Sequence, residues 1–401
     1  MRLTARRRQI LLLICAGIGL CCGLYQACGA YIRRSARADV ADAEACLQRN
    51  DPIAAAEAVS LLLWFDPTNM DALLIQGLSL YIQQKFEESI AVLEQIPLDS
   101  AQFESSGQVL ARSLVLDNQF EDAEDVLRHY LARFPHADSA RDELVQLYVQ
   151  QLRKPEAIEL LRARLRLLPG DVSGLPGLLR LHVQADSPER AIQHLSAVNQ
   201  QQPGQASVVL ALARSHALTG NLSEAARYFD EAVVLRPGHA ATSVQAAEFC
   251  VSQGDTVGAS KLLLREQLDQ FEAVDGGDSE ARYWYVKARL HLLLSEKDEA
   301  LEAITRSLEK FPAEIAYLSF RGDVLRQLGK VSEAAAVSRR AGELSLARRR
   351  LFLLEKELDL TKPDRMQCEE IADLMEILMN HDEAHRWRLA AQLDREAASN
   401  D

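Results

Sequence analysis

Alanine recurs at Ala55, Ala123, Ala157, Ala191, Ala225 and Ala259, and proline at Pro67, Pro135, Pro169, Pro203 and Pro237, always 34 residues or a multiple of 34 apart. A fixed period of that length marks a repeat array, in which each unit buries its apolar face against its neighbours and no single core forms. Such a chain offers an extended surface more readily than an enclosed catalytic pocket. If each proline closes a unit at position 32, units begin at residues 36, 70, 104, 138, 172, 206 and 240. The register slips by seven residues at 274–280 and resumes with units from 281 and 315, which place Ala300 and Ala334 at position 20.

Each preferred residue type has a physical reason. Position 8 reads Ala43, Gly77, Ala111, Val145, Leu179, Ala213, Ala247, Ala288 and Gly322, and its small members let two helix backbones approach closely. Position 24 is Val59, Leu93, Leu127, Leu161, Leu195, Phe229, Leu263 and Ile304, an apolar series that buries the seam between units, with Ser338 as its one departure. Proline at position 32 lacks an N–H and clashes with the preceding turn, so it stops the second helix of a unit. Gly220, Gly254 and Gly329 fall between the two helices, where the chain needs positive φ.

These positions resemble the tetratricopeptide repeat, a helix-turn-helix unit of 34 residues. The resemblance covers residues 36 to 348 and implies an all-α, right-handed solenoid of nine or ten units. It divides the chain into a basic tail over 1–9, an apolar segment over 10–32, repeats over 36–273, an insertion over 274–280, repeats over 281–348, a helical spacer over 349–364 and a capping unit over 365–398. Departures occur: the family's Trp at position 4 is present only as Trp284, its Tyr at position 11 only as Tyr148, and Pro97 interrupts the second unit. His182, His216 and His291, with Cys46 and Cys250, also stand at position 11, which makes them packing residues. The spacer leucines Leu344, Leu351, Leu354 and Leu358 recur at helical spacing and either cap the array or form a dimer seam.

Residues 10–32 run for 23 residues with Gln26 as the one strongly polar side chain, enough helix to cross a hydrocarbon layer about 30 Å thick. Arg2, Arg6, Arg7 and Arg8 precede the run and Arg33, Arg34 and Arg37 follow it. The short basic lead favours a retained single-pass anchor with the repeats outside the cytoplasm, periplasmic in a bacterium. A cleaved signal peptide is the rival reading. Of the 45 basic residues, seven arginines lie in 1–37 with no acid, so the remainder sets 38 bases against 58 acids, a net −20. That surface repels phosphate and argues against nucleic acid as a partner.

Catalytic and cofactor signatures are missing. The sequence has no Walker A loop, GxGxxG, HExxH, GxSxG or CxxC string, so we expect no enzyme, no cofactor and no small-molecule substrate. His381 and His385, with Asp382 and Glu383 beside them, lack a third ligand at metal spacing and read as a solvated helix face.

In the family that the chain resembles, positions 2, 5, 9 and 12 of each first helix line a concave groove. Position 9 carries Arg112, Gln146, Arg180, Arg214 and Arg289, and position 12 carries Val115, Val149 and Val183. A basic row beside an apolar one suits a protein or peptide partner with acidic and apolar side chains, since guanidinium forks bind carboxylates while valines exclude water. The arginines could instead pair with acids on adjacent units, such as Asp142 and Glu143. The family's carboxylate clamp, with Lys and Asn at positions 5 and 9, is not matched. The resemblance implies a scaffold, and with the apolar segment over 10–32 it leads us to expect a membrane-anchored one that helps assemble an envelope or secretion complex, or an accessory subunit that positions a separate polysaccharide-synthesis or protein-modifying enzyme.

Overall fold

The computed structural model describes residues 39–168, 171–184, 186–263, 278–357 and 364–400, and every regular element within them is an α-helix. The apolar segment 10–32, Pro169 and most of the slip at 274–280 lie outside the described residues. Among the described ones, no helix is long and apolar enough to cross a membrane.

The chain divides into two compact bodies, residues 1–130 and 131–401. The first holds α1 (39–48) with α2 (Pro52–Phe65), α3 (Met70–Ile82) with α4 (Phe86–Leu93), and α5 (Phe103–Leu116) with α6 (Phe120–Arg133), whose last residues pass the boundary. The second opens with α7 (Asp138–Gln150) and α8 (Lys154–Leu167), α9 (Leu175–Val183) and α10 (Pro188–Gln201), then α11 (Ala206–Leu218) and α12 (Leu222–Leu235). It continues with α13 (Ala240–Ser252) and α14 (Thr256–Leu263), α15 (Asp278–Leu293) and α16 (Lys297–Lys310), and α17 (Ile315–Gln327) and α18 (Val331–Glu357). The last hairpin is α19 (Arg365–Ile377) with α20 (His381–Asn400).

Local chemistry sets these boundaries. Asp51 accepts from the Ala54 N–H at 3.0 Å with Pro52 in the first turn of α2, and Asn69 caps α3 through the Ala72 N–H. Asp364 and Gln367 form a reciprocal capping box at α19. α2, α6, α10, α12 and α16 each stop two residues before Pro67, Pro135, Pro203, Pro237 and Pro312. α18 is the exception: with no proline it runs 27 residues, so residues 349–357 of the expected spacer continue the ninth unit's second helix. Leu344, Leu351 and Leu354 on it are buried within the second body.

Between the helices of a unit, position 15 takes positive φ as glycine at Gly220, Gly254 and Gly329, but also as Asn50, Gln84, Asn118, Leu152, Ser295 and Met379. The turn geometry is therefore imposed by the repeat, and a non-glycine residue there bears a steric cost of about 1–2 kcal/mol.

Packing follows the register. Ala43, Ala111, Ala213, Ala247 and Ala288 at position 8 are fully buried, as are Ala55, Ala123, Ala157, Ala225, Ala259 and Ala300 at position 20. The second unit departs with Ser89, whose hydroxyl is buried yet satisfied, donating to the Gly77 carbonyl at 2.8 Å. At Gly77 itself an added methyl would fall inside the van der Waals shell of buried Leu93, the position 24 residue of the same unit. At Gly322 the corresponding residue is exposed Ser338, whose Oγ would lie 3.4 Å from the methyl.

The two glycines therefore predict opposite outcomes for one substitution. Gly77→Ala should destabilise by about 1–3 kcal/mol through overpacking, whereas Gly322→Ala should stabilise by about 0.5–1 kcal/mol by restricting the unfolded chain. Urea midpoints of the two variants moving in the same direction would contradict this account.

Candidate functional site

The residues expected to form a groove are distributed over both bodies. Arg112 and Val115 lie half-buried on α5 in the first. In the second body Gln146 is exposed on α7 and Val149 half-buried. Arg180 on α9 is exposed, 3.8 Å from Glu355 of α18. Half-buried Arg214 donates from Nη2 to the Gln151 carbonyl. Burial, opposed by Glu156 and reinforced by Arg282 and Arg153, pulls its pKa down to about 10. Arg289 sits 3.9 Å from Glu248 with its guanidinium 5.5 Å from the Tyr285 ring. Arg180, Arg214 and Arg289 thus each have a partner within the chain.

A cavity of about 730 Å³ lies instead among α8, α9, α13, α15, α18 and the turns before α17 and α20, and of the expected site residues Val183 alone lines it. Its walls include Glu248, Arg282 and Tyr285, which are positions 9, 2 and 5 of their units, so the inward-facing register applies although the arginine row does not line this space. The lining carries Lys154, Arg162, Arg282, Lys310 and Arg348 against Glu159, Glu248 and Glu314. Aromatic surface comes from Tyr285, Tyr317 and Phe311, with the two tyrosine rings 4.6 Å apart. Burial pushes the Tyr285 hydroxyl up, with Glu248 and Glu314 acting the same way against Arg289, so it stays a neutral hydrogen-bonding group. Several cations are tied down at the rim: Arg282 to Glu248 at 3.5 Å, Lys310 to Glu280 at 2.9 Å and Arg348 to Glu314 at 3.6 Å.

One side of the cavity is closed by a contact that the sequence reading missed. α18 and α20 both pack on α9, the latter joining residues 201 apart in the chain. At that contact Glu383 of α20 is 2% exposed. Its Oε1 accepts from Arg162 Nε at 2.9 Å, and its Oε2 lies 2.9 Å from His182 Nε2. Arg162 also donates to Asn380 Oδ1 at 3.0 Å, and Arg386 reaches the Leu168 carbonyl at 3.5 Å. Burial raises the Glu383 pKa, but His182 and Arg162 outweigh it and hold the carboxyl below the usual carboxylate range.

This corrects two expectations. Glu383 is no solvated acid, and His182 is within hydrogen-bonding distance of a buried carboxylate as well as being a packing residue. The other position 11 histidines differ from it: His216 stacks on Tyr228 with ring centroids 5.4 Å apart, and His291 lies 2.6 Å from Glu296. His381 pairs with Glu376, and among the described residues no group of three or more His, Cys, Asp or Glu is placed to hold a metal ion.

The sequence profile of the tetratricopeptide repeat matches residues 109–172, 177–240, 265–315 and 285–345, together more than half of the chain. The chain belongs to the tetratricopeptide repeat family. Repeats of this family form protein-interaction scaffolds, and this array is one of them. No curated protein matches the chain. Solved structures similar to this array include a MamA fragment from Desulfovibrio magneticus RS-1, 18% identical over 43% of this chain and 94% of that one, with a TM-score of 0.33. A tetratricopeptide repeat protein from Parabacteroides merdae is 13% identical over 73% of this chain and 99% of that one, with a TM-score of 0.32. A chain of the APC/C hetero-tetramer Cut9–Hcn1 is 12% identical over 90% of this array and 80% of its own length, with a TM-score of 0.33.

Proposed function

We propose that the protein is a membrane-anchored scaffold whose second body takes an acidic and apolar segment of a partner protein into the cavity beside α9, on the exported side of the membrane, within an envelope or secretion complex. The observation that carries this reading is the cavity lining, where cations outnumber acids beside three aromatic side chains, in a chain whose residues beyond the N-terminal 37 carry a net −20. A partner acid would meet arginine and lysine there while its apolar neighbours cover Tyr285, Tyr317 and Phe311.

Two features support the anchor. The 23-residue apolar run over 10–32 ends twenty residues before α2. α2 has Glu57 as its one charge and leaves Ile53, Leu61, Trp64 and Phe65 exposed, Trp64 by 73%. Aromatic side chains of this kind favour the water–lipid interface.

Reversing Lys310 and Arg348 to glutamate together tests the cavity. Both side chains are about half exposed and their ion pairs are individually weak, so melting should stay unchanged. Partner recovery by affinity purification from solubilised membranes should fall by about tenfold or more. Undiminished recovery would remove the cavity from partner binding.

A further inference from the structure

We infer that the α8–α9 face is a recognition site for a carboxylate carried on a helix, and that α20 is its resident, exchangeable occupant. A partner helix presenting an acid in the place of Glu383 would release α20 and open the side of the cavity that α18 and α20 close. The inference rests on the scaffold reading above and adds the chemistry and control of its site.

Three observations lead there. In a repeat array each unit needs only its neighbours, so stacking accounts for contacts between consecutive hairpins. The α20–α9 contact joins residues 201 apart, and no stacking rule requires it. Second, the groups that meet there are those of a built carboxylate site. Arg162 supplies Nε at 2.9 Å and Nη2 at 2.8 Å to one oxygen of Glu383, and His182 Nε2 stands 2.9 Å from the other. The desolvation cost of a buried pair offsets much of its attraction, so this one adds little net stability to the docked α20.

Third, two of the polar contacts around it are weak, and one of them is open to water. Arg180 on α9 is exposed where it faces Glu355 of α18 at 3.8 Å. Arg386 lies 3.5 Å from the Leu168 carbonyl, at the limit of a hydrogen bond. Held in the same chain, α20 competes intramolecularly, so it keeps weak acids out and yields to a helix that matches the site better.

The test uses the full-length chain and a fluorescent synthetic peptide of residues 378–393. The wild-type chain should bind the peptide weakly, because its site is filled. The Glu383→Gln chain, with its resident carboxylate gone, should bind it at least tenfold more tightly. Amide exchange over residues 175–183 should rise in that variant. A peptide carrying the same glutamine should bind neither chain, and Arg162→Ala added to the Glu383→Gln chain should abolish binding.

Should the Glu383→Gln chain lose helicity, the Arg180→Ala, Glu355→Ala double variant loosens the exposed half of the contact and should raise peptide binding by a smaller factor. Absent binding to a folded Glu383→Gln chain, or equal binding of the acid and glutamine peptides, overturns the inference. Unchanged binding in the double variant does the same. Peptide exchange failing while partner recovery still depends on Lys310 and Arg348 removes this inference alone. Peptide exchange with partner recovery indifferent to those two residues removes the scaffold reading alone.

Discussion

Replacing Phe103 by alanine is expected to destabilise the first compact body by about 3–5 kcal/mol, the cost of removing a large aromatic ring from a packed interior. Phe103 opens α5 and is 1% exposed, with its ring centroid 5.6 Å from those of both His129 and Tyr130 on α6. The site is poorly placed to collapse around the void. Gly107, one turn along, leaves room for the Phe103 and Tyr130 rings, and the Tyr130 hydroxyl is held by donating to the Glu104 carbonyl at 2.7 Å and accepting from Gln108 at 2.9 Å. With Tyr130 fixed, the space left by Phe103 stays open, and the cavity term adds to the lost transfer energy. Thermal unfolding followed by circular dichroism should show the first body melting at least about 10 °C lower, at several degrees per kcal/mol for a domain of this size. A loss below about 1 kcal/mol would mean that the neighbouring rings move, contrary to this account.

The second large effect belongs to the seam between units. Leu195 on α10 occupies position 24 and is completely buried, so Leu195→Ala should cost about 2–5 kcal/mol. The same repeat position offers its own control: Ser338 on α18 is exposed, and Ser338→Ala should lie within about 0.5 kcal/mol of zero. In an array coupled by nearest-neighbour interfaces, the Leu195 loss should appear as an earlier unfolding transition of the second body. Equal effects at the two positions would show that position 24 does not carry the seam.

The hairpins, their spacing and their buried small residues were legible because each depends on chemistry repeated within one or two periods. Ala43 at position 8, Ala55 at position 20 and Pro67 at position 32 act locally, and the same steric argument applies wherever they recur. Ser89 shows how a departure was absorbed, its hydroxyl bonded to the carbonyl of the glycine opposite. The candidate site was legible only in part. Positions 2, 5, 9 and 12 do supply Arg282, Tyr285, Glu248 and Val183 to the cavity. The arginine row of position 9 gave no such lining, because Arg180, Arg214 and Arg289 are drawn to Glu355, the Gln151 carbonyl and Glu248.

Glu383 and His182 illustrate the remainder. In sequence the first is one acid in a charged helix and the second one member of a recurring packing column, and neither carries a local mark of the other. Their meeting depends on the rotation and rise accumulated over the units between α9 and α20, each contributing a small twist that no single residue encodes. The period alone therefore determined the unit, its register and its family, through contacts between neighbours. Which units meet again after a turn of the array, and hence where the cavity lies and which acid closes it, was decided by tertiary structure, because small angular increments add up over distance while sequence signals do not.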